Sequence, residues 1–158
     1  MNFNTRKGTR GSRQPNGRIM RLANTFMARR LRRSTSGKMM GFNALILHTI
    51  GRRSGQERVT PVGWWPGPGV SWLICASANA AVDNPAWYYN LAANPDRASI
   101  EVNGETIAVT AQQLDGAERE QAWQQITESA PRFAQYQTRT DRQLPVIRLV
   151  RRPTGAGG

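Results

Sequence analysis

A single cysteine, Cys75, and a single histidine, His48, stand in 158 residues. One thiol excludes an intrachain disulfide and lends no support to an oxidising compartment. One histidine and one cysteine offer no metal-ligand cluster, so no metal site is expected. A serine or cysteine nucleophile would have to use His48 as its base. His48 lies inside an apolar run and reads as a structural histidine, and Cys75, between Ile74 and Ala76, reads as a core residue. Also missing is any uninterrupted apolar run of roughly 18 to 20 residues, the length that crosses a bilayer. The pairs Arg29-Arg30 and Arg32-Arg33 resemble part of an export signal. The stretch that follows, Met39 to Ile50, is broken by Gly41, Asn43 and His48, so the cytoplasm is the expected location.

Acidic residues are lacking from one part of the chain in particular. Of 22 basic residues, eleven fall within residues 1–40, where there is no Asp or Glu, while the remaining residues hold eleven basic and ten acidic side chains. The formal charge of +12 therefore belongs to an arm attached to a nearly neutral domain. Residues 1–17, rich in Gly, Asn, Arg and Ser, are expected to be a disordered basic tail. Residues 18–33 read as a basic amphipathic helix with Ile19, Leu22, Ala23 and Phe26 on its apolar side. Such a helix suits an anionic lipid interface at the inner face of the cell membrane. The competing readings are a flexible tail with a helix packed on its own domain, and an arm that holds nucleic acid through phosphate contacts. The nucleic-acid reading leaves the arginines and aromatics of residues 51–90 unexplained. The arm is expected to be separable from the chemistry.

Residues 40–151 read as one α+β domain, followed by a flexible C-terminus, 152–158. Ala44–Ile50 and Arg58–Trp65 make a hairpin across the polar turn Gly51–Gln56, with Pro61 at an edge or bulge. After a Pro-Gly turn comes a strand over Val70–Ser77, then a helix from Pro85 to about Ala93, introduced by Asn84. Asn103-Gly104 predicts a type I′ turn between alternating strands. Asp115 and Glu118 have capping-box spacing ahead of a helix bearing Ala122, Trp123 and Ile126. A short aromatic segment with Phe133 and Tyr136 and a closing strand, Leu144–Val150, complete the order. Five or six strands joined by hairpins give an antiparallel barrel, not a parallel nucleotide-binding sheet.

The turn carries the chemistry. Arg52, Arg53 and Arg58 with Ser54 and Thr60 set three permanent charges and two hydroxyls around a glycine-bounded loop, a donor set suited to phosphate or carboxylate. By spacing alone, a solvated basic hairpin tip competes with that reading. The loop is not a P-loop, which needs Lys followed by Ser or Thr after its second glycine. A chain without acid–base or metal machinery of its own can still run difficult chemistry if a cofactor carries it, which points to redox work.

The run Leu45–Pro61, with Gly51-Arg52-Arg53-Ser54-Gly55 at its centre, closely resembles the deazaflavin-dependent nitroreductase family. So do Asn84-Pro85-Ala86-Trp87-Tyr88-Tyr89-Asn90-Leu91, the helix start Asp115–Glu120, and Tyr136-Gln137 with Arg139–Arg142 and Leu144-Pro145-Val146. The resemblance covers about Met40 to Val150. It implies an antiparallel split β-barrel of the FMN-binding, pyridoxamine-phosphate-oxidase-like type that binds coenzyme F420, an 8-hydroxy-5-deazaflavin with a phosphodiester and a glutamate tail. It further implies coenzyme contacts at Arg52, Arg53, Ser54, Arg58, Val59, Thr60, Pro61, Cys75, Ala76, Ser77, Ala78, Ala86, Trp87, Tyr88 and Asn90, with Phe133 and Tyr136 on the acceptor side. Ala78 stands where some relatives carry a lysine, and Ala130 and Phe133 stand where nitroimidazole-reducing members carry tyrosines. The expected activity is hydride transfer from the reduced deazaflavin to a small electron-poor acceptor, a quinone, enone or nitroaromatic. Ser77 and Tyr136 are the candidate catalytic residues, as donors to the acceptor oxygen. In the plain alternatives Ser77 merely ends a strand and Tyr136 merely packs its ring. Flavin mononucleotide is the alternative cofactor, and a carrier without turnover the alternative function.

Overall fold

The computed structural model describes residues 3–34, 37–39 and 42–153. The expected domain start at Met40, the first two residues of the expected tail and all but the first two residues of the expected C-terminus lie outside them. Four helices and eight strands are found among the described residues: α1 (Gly17–Arg33), β1 (Lys38–Met39), β2 (Phe42–Ile50), β3 (Glu57–Gly63), β4 (Trp65–Pro66), β5 (Ser71–Cys75), α2 (Ala86–Ala93), β6 (Ala98–Val102), β7 (Glu105–Gln113), α3 (Gly116–Ser129), α4 (Arg132–Arg139) and β8 (Val146–Arg151). Two of the strands are two-residue pieces, which accounts for the excess over five or six. No described helix is long and apolar enough to cross a membrane.

Every strand pairing is antiparallel. The sheet runs β1-β2-β6-β7-β8-β5-β4, with β3 also pairing β2. Strands β3 and β4 thus lie at opposite ends of the pairing order, yet only Trp64 separates them in the chain. Joining the two edges through one residue forces the sheet to curl on itself, and because they do not pair, the barrel stays split there. Pro61 sits in β3, which bonds to β2 alone, so its missing N–H costs no ladder bond on the open side. Between β6 and β7, Asn103 and Gly104 both take positive φ, 52° and 79°, as a type I′ turn requires.

Alternation fills the inside. In β6, Ala98, Ile100 and Val102 are buried, and in β7, Ile107, Val109 and Ala111, while their neighbours face outward. With Leu45, Leu47, Ile74, Ile147 and Leu149 they form the barrel core, sealed by Tyr88 and Leu91 of α2. A second cluster, Trp65, Leu73, Leu114, Ile126, Phe133 and Leu144 among them, packs α3 and α4 on the outer face. The short aromatic segment with Phe133 and Tyr136 is helix α4. Asp115 occupies the N-cap of α3 but makes no side-chain capping bond, so the capping-box expectation is not met.

The arm departs furthest from expectation. Residues 3–16, expected to be disordered, run as a strap across the domain. Gly8 N–H donates to the Val82 carbonyl (2.7 Å), Ser12 N–H to Ala80 (2.9 Å) and Val82 N–H to Ser12 (3.0 Å). The Asp141 carboxylate accepts from the Thr9 hydroxyl and from the backbone N–H groups of Thr9 (2.8 Å) and Arg10 (2.9 Å), which hold its pKa down at about 2. Phe3 packs edge-on against Tyr88. Composition failed here because these bonds use backbone groups, which any sequence supplies.

Helix α1 starts at an N-cap, Asn16, whose side chain accepts from Arg18 N–H (2.8 Å). It lies against β2 and β3, but not by its apolar stripe. Ala28 is buried and Met20, Asn24, Met27 and Leu31 are half-buried, whereas Ile19, Leu22 and Phe26 are 60, 73 and 60% exposed. Its C-terminal end is fixed by Arg32, whose guanidinium donates to both Glu101 oxygens (2.9 and 2.7 Å), while His48 Nε2 meets the same carboxylate and His48 Nδ1 lies 3.3 Å from Glu57. His48 is thus a structural histidine joining β2 to its neighbours.

The Arg32 hydrogen bonds, and after them the contact with His48, bring the Glu101 carboxyl down to about 2. A carboxylate with a lower pKa in the folded than in the unfolded chain adds stability above its unfolded value and loses it as pH falls toward the folded one. The docking of α1 is therefore expected to weaken between pH about 4.5 and about 2. Because Glu101 is partly exposed, Glu101→Gln should cost only about 1 kcal/mol at neutral pH. Chemical denaturation followed across pH should show the variant's profile flattened in that window.

Candidate active site

The turn after β2 closes on itself before it presents anything. Gly51 N–H donates to the Gln56 carbonyl (2.8 Å), Gly55 N–H to Gly51 (2.9 Å), and Gln56 N–H to Ser54 Oγ (3.2 Å). Gly55 lies at φ 70°, in the left-handed region where a glycine is favoured. With its backbone used internally, the turn leaves the side chains of Arg52 and Arg53 outside. Helix α2 fixes its orientation: Arg52 N–H donates to Asn90 Oδ1 (3.1 Å), and Asn90 Nδ2 donates to Thr49 Oγ1 (3.1 Å). The Arg52 guanidinium lies 4.6 Å from the Tyr89 ring centre, a cation–π contact, and Arg58 donates to Gln56 Oε1 (3.3 Å) and Ser54 Oγ (3.4 Å).

Beside this turn opens a cleft of about 1080 Å³. Of the residues expected at a coenzyme, Arg52, Arg53, Ser54, Arg58, Val59, Thr60, Pro61, Cys75, Ser77, Ala78, Ala86, Trp87, Asn90 and Phe133 all line it. Three do not. Ala76 is fully buried and its carbonyl is taken by Arg142. Tyr88 turns inward, donating to Gln113 Oε1 (2.6 Å) and accepting from Thr5 N–H (3.1 Å). Tyr136 stacks edge-on against Phe133 at 5.4 Å and does not line the cleft, so of the two candidate donors to an acceptor only Ser77 faces it. Sequence order cannot tell which of two neighbouring aromatics points out of a core. Burial pushes the Cys75 thiol up to about 12, which keeps it protonated and unreactive at neutral pH.

The arm supplies a wall that was expected to be separable. Arg13, Arg18, Arg21, Met20, Leu22, Asn24 and Thr25 line the same cleft. The only available signal was the lack of acidic partners for the arm's arginines. Six guanidinium groups thus border the cleft against one carboxylate, Glu57, which already faces His48. Such an excess of like charge is costly unless an anion shares the space.

The floor rests on one side chain. Arg142, 1% exposed, donates Nε to the Ala81 carbonyl (3.1 Å), Nη1 to the Ala76 carbonyl (2.9 Å) and Asn84 Oδ1 (2.7 Å), and Nη2 to the Ser77 carbonyl (2.8 Å). Between these anchors the short 3₁₀ turn Ala78–Ala80 holds two alanines at positive φ, 46° and 63°. Strain of this kind persists only where surrounding bonds over-determine it. The Ser77 hydroxyl, at the edge of this turn, has no hydrogen-bond partner among the described residues. Among those residues no group of three His, Cys, Asp or Glu side chains converges as metal ligands.

Residues 19–151 match the family model described as F420H(2)-dependent quinone reductase. The F420H(2)-dependent quinone reductase Rv1261c of Mycobacterium tuberculosis is 38% identical over 112 residues, which cover 69% of this chain and 74% of that protein. Among solved structures, an F420-H2 dependent reductase, FDR-A, superposes with TM-score 0.61 at 34% identity, over 67% of this chain and 92% of that one. Another, a domain-swapped dimer, superposes with TM-score 0.62 at 29% identity, over 81% of this chain and 96% of the other.

Replacing Arg142 by Met roughly keeps volume but leaves the Ala76 carbonyl and Asn84 Oδ1 without a donor, and leaves the Ser77 and Ala81 carbonyls with only Ala80 N–H and the Thr140 hydroxyl. The loss is expected to be about 3 kcal/mol of unfolding free energy, read from urea titration. A loss below about 1 kcal/mol would show that the floor does not depend on this side chain.

Proposed function

The chain belongs to the F420H(2)-dependent quinone reductase family, and on that premise we propose that its cleft holds reduced coenzyme F420 and delivers a hydride to a quinone. The observation that carries this reading is convergence: residues scattered from Arg52 to Phe133 border one cleft whose lining holds six guanidinium groups and one carboxylate. That donor set fits a ligand bearing a phosphodiester and carboxylates. Arg52, Arg53 and Arg58 would hold its charged part, with Ser54 and Thr60 adding hydroxyls, while Val59, Pro61 and Trp87 offer apolar surface to a flat ring.

When bound, the reduced deazaflavin supplies a hydride, and the quinone takes that hydride and one proton to become a hydroquinone. The protein's part is placement. Asn90 and Tyr89 fix Arg52, and the turn fixes Arg58 through Ser54 and Gln56, so the cationic groups are organised before any ligand arrives. The Ser77 hydroxyl, unpartnered among the described residues, would bond an acceptor oxygen as negative charge grows on it. Phe133, braced at 5.3 Å by Trp65 and at 5.4 Å by Tyr136, presents an aromatic wall.

The quinone side extends to the surface. Ile19, Leu22 and Phe26 form an exposed apolar stripe flanked by Arg18, Arg29, Arg30 and Arg33, and Leu22 also lines the cleft. An apolar ridge edged by cations matches the interface of an anionic membrane, where each basic residue near the surface adds about 1 kcal/mol. A chain held there peripherally on the cytoplasmic face, with its cleft mouth at the ridge, has access to lipid-soluble quinones.

Arg58→Ala should weaken coenzyme binding about tenfold in a fluorescence titration. Wild-type protein should accelerate oxidation of the reduced coenzyme by menadione in stopped flow, and binding without acceleration would make the chain a carrier. For the membrane, removing the arm would also remove a wall of the cleft, so point changes are the sounder test. Ile19→Ser with Phe26→Ser, two exposed residues outside the cleft lining, should abolish flotation with anionic vesicles and leave coenzyme affinity unaltered. Equal flotation of variant and wild type would sink the lipid contact.

A further inference from the structure

We infer that the arm is itself part of the coenzyme site: Arg13, Arg18 and Arg21 form an outer subsite for the oligoanionic tail, beyond the inner arginines of the turn. The inference rests on the coenzyme reading above and goes past it, since the inner contacts are those that the family resemblance implies, whereas these three lie in the arm.

The first ground is place. Arg13, Arg18 and Arg21 border the same cleft as Arg52, Arg53 and Arg58. The second is that these side chains are not spent elsewhere. Arg32 on the same helix is paired with Glu101 and Arg10 donates to the Thr138 carbonyl, but the guanidinium groups of Arg13, Arg18 and Arg21 have no hydrogen-bond or ion-pair partner among the described residues. The third is that their backbone is held. The strap bonds of Gly8 and Ser12 to residues 80–82 and the Asp141 anchor fix the chain just before Arg13. Gln14 Nε2 then donates to the Asp83 and Asn84 carbonyls (3.2 and 3.1 Å), and the Asn16 cap starts the helix that carries Arg18 and Arg21. A solvated tail would need none of this.

The chemistry follows from charge count. A phosphodiester contributes one negative charge, and each glutamate adds at least one carboxylate. The inner arginines match the phosphodiester and its neighbours, and further carboxylates need further cations. Guanidinium groups on a pre-positioned helix recognise these groups by forked hydrogen bonds, with less ordering cost than a free arm would bear. Such contacts at an open rim are individually weak and salt-sensitive, so the subsite acts through their number.

The test compares two ligands on two proteins in vesicle-free buffer, by fluorescence titration: the full coenzyme, and the same deazaflavin lacking phosphate and glutamates. Changing Arg13, Arg18 and Arg21 together to Gln should weaken the full coenzyme on the order of tenfold. The variant should also show a shallower salt dependence and bind the tail-less form as wild type does. A charge-matched control changes Lys7, Arg97 and Arg139, exposed residues outside the cleft lining, to Gln and should bind both forms as wild type does. Equal affinity of wild type and the arm variant for the full coenzyme, or an equal loss in the control, would overturn the arm's role alone. If wild type binds neither form, the coenzyme reading fails, and the tail subsite with it.

Discussion

A buried guanidinium without a carboxylate bonded to it is an expensive object, and Arg142 is one. Burial pulls its pKa below the usual arginine value, and the cost is offset by bonds to three carbonyls and the Asn84 amide oxygen. Those acceptors belong to the end of β5, to the turn that follows it and to the approach to α2. One side chain thereby ties together three segments that meet at the cleft floor. The strained turn at Ala78 and Ala80 depends on it, because two alanines at positive φ relax unless their flanking carbonyls are held.

The same turn receives the arm. Ala80 and Val82 are the backbone partners of Ser12, and Asn84 Nδ2 donates to the Thr5 carbonyl (2.9 Å) while its Oδ1 accepts from Arg142. The strap is therefore bonded to the element that Arg142 stabilises, and the arginines of the arm reach the cleft only because that element has its shape. Fold, floor and outer wall form one dependent chain: the split sheet places β5 beside α2, Arg142 sets the turn between them, and the turn positions the strap.

What could be read in the residues was local. The Asn103-Gly104 turn, the β2–β3 hairpin, helix α2 and the arginine turn all have short-range signatures, and each appears in the structure, although Pro85 and not Asn84 is the N-cap of α2 and no side chain caps it. The missing parts involve partners far apart in sequence. Arg142 bonds to carbonyls about sixty residues away, and no spacing rule marks an arginine that will be buried. Which side of α1 meets the domain was not legible, because hydrophobic periodicity identifies an apolar stripe without saying what covers it. Here the domain takes Met20, Asn24, Ala28 and Leu31 instead. Tyr88 and Tyr136 failed for a related reason: an aromatic-rich segment shows that rings are wanted, while their direction is decided by the core.

The orientation of α1 has a consequence for how two unlike ligands share a cleft. Along the helix, Arg18 and Arg21 alternate with Ile19 and Leu22, so cationic and apolar side chains occupy adjacent strips of one surface. Had Ile19, Leu22 and Phe26 packed on β3, the arginine strip would have rotated with them and the charges would have left the rim. Exposing the apolar stripe is thus the geometric counterpart of keeping Arg18 and Arg21 at the cleft. In the proposed arrangement, a charged coenzyme tail follows the arginine strip while an apolar acceptor arrives over the neighbouring one. The two ligands are then sorted by solvation alone before either reaches the residues below.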